Sequence, residues 1–451
     1  MWVPVIEHRA GPMAHRLVEA LSEAVTEGTL PVGSQLPPHR ELADALGLSV
    51  GTVSRAYSLA KDRGLITGTV GRGTFVAGQG DETEDTSQEL DLTQNFIRCD
   101  PGESVAQLLR AALRERTALR SLMELYPAPA GRLEHRQPAA AWLGRRGFTV
   151  TAEQVVLTSG AQHGLFTVLA SLTKPGDVIA TEDLTFPGIK SIASHLQLRL
   201  TALPMDREGL QPEALDRLCA TEKVRALYTI PTIHNPTGAL MSEDRRETIA
   251  DIARRRDITI LEDDIYAFLV ENPPPPIAAF APERSYFVTS LSKSLFPALR
   301  LGFVVCPPGQ APRVAGMVRM SLLTASPVTA AIGTGWLEDG TAERIIGWKR
   351  TETEWRWRTA SQFFGLDTRN SHFAAHLWLP LPGTAGPEEF VARVQRRGVL
   401  LAAAEGFAVD PKAVPRAVRI CLGVPTTRAR LQMALDVVRE VMEGRGPGQL
   451  I

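Results

Sequence analysis

The chain has 451 residues, 44% apolar and 22% charged, with 49 Lys+Arg against 50 Asp+Glu and a formal net charge of -1. That length suggests roughly three structural units, and the composition excludes a wholly disordered chain, a collagen and a coiled-coil rod. No apolar run reaches the ~18 residues that span a bilayer, and the four cysteines, Cys99, Cys219, Cys306 and Cys421, form no CxxC pair, so a membrane channel, a disulfide framework and a metal site are not expected. The opening MWVPVIEHRAGPMAHRL lacks the apolar stretch of a signal peptide, which predicts a cytoplasmic protein.

Met13 to Glu27 places Leu17, Leu21 and Val25 on one helical stripe, with Ala20 and Ala24 beside it. Gly28 and Pro31-Val32-Gly33 break it. After Pro37-Pro38 a second helix carries Leu42, Ala43 and Leu46 and ends at Gly47. Ser49 can N-cap a third, with Val53, Tyr57 and Ala60 on its buried face. The short turn Gly47-Leu48-Ser49 is a helix-turn-helix spacing, whose second helix enters the major groove. LITGTVGRGTFVA then predicts two short strands around Val70-Gly71-Arg72-Gly73, a wing with glycines at its tip.

Arg40, Ser49, Thr52, Arg55 and Arg72 fall on the outward side of this unit, where hydroxyls and guanidinium groups reach phosphates and base edges. Residues 39–76 hold five basic and three acidic side chains, so the near-zero total charge does not exclude a nucleic-acid partner. The order LPxxRELAxxLGxS, TVxRAY, GLI and GxGTFV resembles the winged helix of the GntR family, which implies double-stranded operator DNA as a partner.

Residues 81–91, DETEDTSQELD, carry six acidic side chains, no basic one and no apolar periodicity. Like charges repel and nothing there can be buried, so 79–91 is expected to be a linker after a head of residues 1–78.

Short apolar strands then alternate with amphipathic helices: VVLTSG, VIATED, ALYTIP, ITILEDD, YFVTSLS and LGFVVC. This predicts an α/β sheet covered on both faces, with ligands at the carboxyl ends of its strands. Ser159-Gly160, Asn235, Asp263 and Lys293 cluster at such ends. From about residue 340 a charged helix, WKRTETEWRWR, leads into a smaller α+β piece.

TSGAQHGL, HNPTG, EDDIY and SLSKSLFPALRLGF, in this order, resemble a fold-type I aminotransferase. Joined to the GntR-like head, the whole chain resembles the MocR-type regulators. The resemblance implies an N-terminal winged helix-turn-helix plus a fold-type I body, with a large, mostly parallel sheet domain at 92–345 and a small α+β domain at 346–451. It implies pyridoxal 5'-phosphate as cofactor.

By the same resemblance, Lys293 is the amine that bonds the cofactor, Asp263 the acid at its ring nitrogen, and Tyr266 and Asn235 the donors to its ring hydroxyl oxygen. Ser159, Gly160, Ala161 and Gln162 at a helix N-terminus, with Ser290, Ser292 and Arg300, cradle the phosphate. Phe186 stacks on the ring. Tyr126 reaches the phosphate of a neighbouring subunit, which implies a domain-swapped homodimer. Arg419 grips an effector carboxylate, and Asn95 skirts the site.

Asp264 is expected to point away from the site, His135 and Arg136 to lie at the surface, and Trp348, Trp355 and Trp357 to pack between domains. Pro297-Ala298-Leu299-Arg300 replaces the PGLR of many relatives. Two functions stay open on these residues. One is a regulator that senses an amine, an amino acid or pyridoxal phosphate itself. The other is a working aminotransferase with an appended DNA-binding domain.

Overall fold

The computed structural model describes residues 2–4, 12–26, 29–31, 33–62, 65–69, 73–76, 89–99, 105–114, 126–366, 373–384 and 386–444. The wing tip, with Arg72, lies outside them. The chain divides into two units, Met1–Ser87 with Pro101–Ala106, and Gln88–Asp100 with Gln107–Ile451. Among the described residues no helix is long and apolar enough to cross a membrane.

The first unit holds α1 (Met13–Thr26), α2 (His39–Leu46), α3 (Val50–Asp62) and the antiparallel strands β1 (Ile66–Thr69) and β2 (Gly73–Val76), Ile66 facing Val76. The predicted apolar stripes meet in one core: Leu17 and Leu21 of α1, Leu42 of α2, Val53 and Tyr57 of α3 and Ile66 of β1. Gly47 closes α2 at φ 63, a left-handed conformation that costs glycine little and permits so short a turn. The Tyr57 hydroxyl donates to the Pro37 carbonyl at 2.8 Å, and its ring meets that of His39 edge-on at 4.6 Å. The angle between α2 and α3 is thus pinned at both ends of one side chain.

The second unit opens with β3 (Leu90–Asp91), which pairs in parallel with Val399–Leu400. The expected linker therefore stops short of 91: Leu90 is apolar and an open strand edge is available to it. The segment continues as a strap over residues 92–99, and the peptide N–H of Cys421 donates to the Leu92 carbonyl at 2.9 Å. At Gly423 a Cβ would lie 2.0 Å from the Phe96 carbonyl oxygen, so only glycine lets the strap pack so closely.

Next come α4 (Leu133–Gly144), β4 (Val155–Thr158), α5 (Ala161–Leu172), β5 (Val178–Glu182), α6 (Pro187–His195), β6 (Arg199–Leu203), β7 (Val224–Thr229), α7 (Glu243–Arg256), β8 (Thr259–Asp263), β9 (Ser285–Ser290), α8 (Leu291–Ser294) and β10 (Gly302–Val305). The seven strands from β4 to β10 form one sheet in the order β4-β10-β9-β8-β7-β5-β6. Only β10 runs antiparallel to its neighbours. β6 escapes sequence detection because RLTAL is an edge strand, only partly buried along most of its length.

Alternation sends Val156, Val288 and Val304 to the face covered by α5, and Val155, Leu157, Phe287 and Phe303 to the face covered by α4. His135 lies on the inner side of α4 with Ala139 and Leu143 and is buried, contrary to the surface position expected for it. Arg136 is half-buried and donates to the Ala152 carbonyl at 2.8 Å.

The charged helix is α9 (Thr341–Phe363). Its first turns pack on the large sheet through Ala342, Ile345 and Ile346, and its last turns reach the C-terminal core through Trp357 and Ala360. The 345/346 boundary thus falls inside one continuous helix. All three tryptophans pack on that C-terminal core. It is completed by β11 (His376–Pro380), β12 (Val399–Leu400), β13 (Ala402–Ala403), β14 (Ala417–Cys421) and α10 (Arg428–Met442), with β11, β14 and β13 side by side and antiparallel.

Candidate functional site

In the first unit, Arg40 and Arg55 are exposed on α2 and α3, clear of the core. The Ser49 hydroxyl caps α3: it accepts from the Thr52 peptide N–H at 3.2 Å and bonds the Thr52 hydroxyl at 2.8 Å. Ser49, Thr52 and Arg55 recur at three-residue spacing along α3 and its cap; Arg72 falls outside the described residues.

In the second unit the strand ends converge as the sheet topology requires. Asp263 terminates β8 and is buried. Its Oδ2 accepts a hydrogen bond from the Tyr228 hydroxyl at 2.8 Å. Its Oδ1 has no partner among the described residues. Burial, with nearby Asp264 and Glu182 adding to it, pushes the carboxyl up to about 7. Asp264 turns the other way, as alternation demands, and pairs with Arg146 at 2.7 Å.

Lys293 sits in α8, directly after β9, where the Ser290 hydroxyl accepts from the Ser292 peptide N–H at 3.3 Å. Burial lowers its amine to about 8, and Arg419 and Arg300 push the same way. At a pH equal to that value half of these amines are neutral and able to act as nucleophiles, where an ordinary lysine is almost wholly protonated. Lys349 of α9 is fully buried, and its Nζ donates to the Lys293 carbonyl at 3.1 Å and to the Leu295 carbonyl; burial lowers this amine to about 8 as well. Sequence reasoning missed Lys349. Its one signal is that it shares the buried helical stripe of Ile345, Ile346 and Thr353.

Tyr266 is buried, and its hydroxyl donates to the Asn95 carbonyl at 3.3 Å. Arg419, from β14, donates through Nη1 to Asn235 Oδ1 at 2.7 Å and through Nη2 to the Thr93 carbonyl of the strap. Its guanidinium lies 4.8 Å from the centre of the Phe407 ring, and its Nε has no partner among the described residues. Asn95 Nδ2 lies 2.9 Å from His376 Nδ1, and His376 Nε2 lies 3.2 Å from the His234 carbonyl. A carbonyl can only accept, so Nε2 carries the proton and Nδ1 accepts from the amide. Burial drives His376 and His234 down to about 3, so both rings are neutral.

At the same edge of the sheet, Gly160 at φ 80 caps α5, and Ala161 and Gln162 form its first turn. A Cβ on Gly160 would lie 2.8 Å from Arg300 Nη2, so glycine is what lets the guanidinium approach the helix start. Arg300 donates to the Ser159 carbonyl at 3.4 Å, and the Ser159 N–H donates to His163 Nδ1 at 3.1 Å. Ser290 and Ser292 are buried nearby in sequence, the Ser292 hydroxyl without a partner among the described residues. A cavity of about 470 Å³ opens beside this cradle, lined among others by Ser159, Gln162, His163, His195 and Arg300. Phe186 precedes α6, with its ring folded over Gly188. Tyr126 is not drawn into the cradle: it is 84% exposed.

These features suit pyridoxal phosphate. A buried acid has one oxygen without a partner among the described residues, a half-buried lysine has a depressed proton affinity, and a helix N-terminus stands beside an exposed arginine. An acid for a ring nitrogen, an amine for an aldehyde and a cradle for a dianion are what that molecule requires.

Residues 13–76 match the family of bacterial regulatory proteins of the gntR type, and residues 87–438 match aminotransferase class I and II. The chain is 31% identical over 449 residues to the HTH-type transcriptional regulator YdeF of Bacillus subtilis, covering 98% of this chain and 97% of that one. It is 29% identical over 295 residues to the vitamin B6 salvage pathway transcriptional repressor PtsJ of Salmonella typhimurium, 65% of this chain and 67% of that one. Among solved structures, the Pyrococcus horikoshii kynurenine aminotransferase shares the fold of the second unit, with a TM-score of 0.72 at 22% identity, covering 80% of this chain and 92% of that one. The cofactor that goes with this body is pyridoxal phosphate. The chain therefore belongs to the MocR-type HTH transcriptional regulators, a GntR-family DNA-binding head joined to an aminotransferase-like body.

Proposed function

We propose that this regulator binds operator DNA as a cytoplasmic homodimer through Arg40, Ser49, Thr52, Arg55 and Arg72, and that its body senses an amine, an amino acid or pyridoxal phosphate itself. When bound, the cofactor supplies an aldehyde that captures amines and an electron-poor ring. Lys293 offers it a partly neutral amine. Asp263 would hold the ring nitrogen, Tyr266 and Asn235 would hydrogen-bond the ring hydroxyl oxygen, and Phe186 would stack on the ring. Ser159, Gly160, Ala161, Gln162, Ser290, Ser292 and Arg300 hold the phosphate. Tyr126, exposed in one chain, completes the cradle of its partner.

One observation carries the sensing role. The guanidinium that would take an effector carboxylate, Arg419, now holds the Thr93 carbonyl of the strap, which follows the acidic stretch in sequence. A carboxylate makes shorter, stronger two-pronged bonds to arginine than a neutral carbonyl does. An effector carboxylate at Arg419 would displace Thr93, and so bind the arrangement with a released strap better than the present one. That difference in affinity is what a ligand needs to shift an equilibrium. Displacement of the strap would then pull on or slacken the acidic linker.

The DNA face is tested by operator binding of Arg55→Ala and Arg40→Ala. Each is expected to lose about 1–3 kcal/mol of affinity while retaining cofactor. Unchanged affinity and sequence preference in both variants would contradict this face.

A further inference from the structure

The two oxygens of Asp263 have different surroundings. Oδ2 accepts from the Tyr228 hydroxyl, and Oδ1 is buried without a partner among the described residues. Tyr228 lies on β7 opposite Leu261 of β8, two residues before Asp263 and therefore on the same face of the sheet. Its ring is long enough to lean along the strands to the carboxylate, and it is fully buried.

The other ionisable groups around Asp263 do not compete for it. Asp264 is held by Arg146 on the far side. The Tyr266 hydroxyl is turned to the Asn95 carbonyl. Glu182, at the end of β5, accepts from the Thr229 hydroxyl and the Ile230 peptide N–H, and burial raises it. Within this set, Tyr228 alone donates a hydrogen bond to the carboxylate.

We propose that Tyr228 is a positioning residue for the cofactor ring nitrogen: its hydroxyl fixes the rotation of the Asp263 carboxylate so that Oδ1 meets the nitrogen, and it stabilises the ionised form. The inference rests on the pyridoxal phosphate reading above. It stands on the geometry, and the electrostatics agree. Burial raises Asp263, and the Tyr228 hydrogen bond opposes that rise. Burial also raises Tyr228 far above the ordinary phenol range, so it stays a donor. A phenol that only filled the core would leave the nitrogen indifferent to its oxygen.

The test loads the full-length protein with pyridoxal phosphate labelled with ¹⁵N in the ring and records the nitrogen resonance. Wild type is expected to give the signal of a protonated ring nitrogen. Tyr228→Phe, which removes one oxygen and keeps the ring, is expected to shift that signal toward the unprotonated form and to weaken cofactor binding roughly tenfold. Asp263→Asn should produce the same kind of shift, and adding Tyr228→Phe to it should change nothing more, because both act on one contact. An unchanged resonance in Tyr228→Phe, or additive shifts in the double variant, would overturn the inference while leaving the cofactor reading intact. A wild-type chain that retains no labelled cofactor would overturn both.

Discussion

Replacing Lys293 with alanine is expected to remove the visible absorbance band of the bound cofactor and to abolish the response to effector, while leaving operator affinity within about twofold of wild type. The separation follows from the architecture. Lys293 lies at the end of β9 in the second unit, and the outward side chains of α2 and α3 belong to the first. The amine is special through its surroundings. Burial lowers it to about 8, and the fully buried amine of Lys349, lowered likewise to about 8, donates to the carbonyls of Lys293 and Leu295 and so holds the backbone that carries it. Alanine keeps that backbone and removes the side chain beyond Cβ, the amine included. Visible spectra and operator titrations of the two proteins check this. A Lys293→Ala protein that still responds to effector would reduce the body to a dimerisation module that stores cofactor.

The second large effect is expected at Arg419. Arg419→Leu should cost an effector with a carboxylate about 2–5 kcal/mol of binding, the usual loss when one partner of a buried, charge-assisted pair is removed. The same change frees the Thr93 carbonyl and Asn235 Oδ1 in the absence of effector. Hydrogen exchange at the strap amides should therefore rise in unliganded Arg419→Leu to the level seen in effector-bound wild type. A weakened effector with an unaltered strap would separate ligand recognition from signalling and contradict the displacement route. Calorimetry of effector binding and exchange at residues 92–99 measure the two halves independently.

Much of the candidate site is legible in the sequence because the residues proposed to hold the cofactor sit in local motifs. Gly160 and Ala161 start a helix in the same few residues that supply Ser159, and Lys293 follows its strand directly. Spacing alone therefore brings these groups to one edge of the sheet. The helix-turn-helix is legible for a similar reason: Gly47 and Ser49 mark the ends of α2 and α3, and the apolar stripes of both helices face one core. What escapes is set by tertiary packing. Tyr228 reads as one more apolar residue in ALYTIP, and only the register of β7 on β8 turns its hydroxyl toward Asp263. His135 looks like a surface group in EHRQ but falls on the inner side of α4. Leu90 and Asp91 continue an acidic run, yet the edge at Val399–Leu400 captures them as a strand. The grip of Arg419 on the strap joins residues more than 300 positions apart, a contact no local pattern announces.

On the proposed function, amine recognition at Lys293 and occupancy of operator DNA are one equilibrium. Titrating candidate amino acids, and the matching amines without a carboxylate, into the protein with operator present tests this most directly. The visible spectrum and operator binding are read from the same samples. Both signals are expected to change with a common midpoint, and removing the carboxylate is expected to move both midpoints together to higher concentration. A spectral change that leaves operator binding untouched, or an operator response without any spectral change, would contradict it.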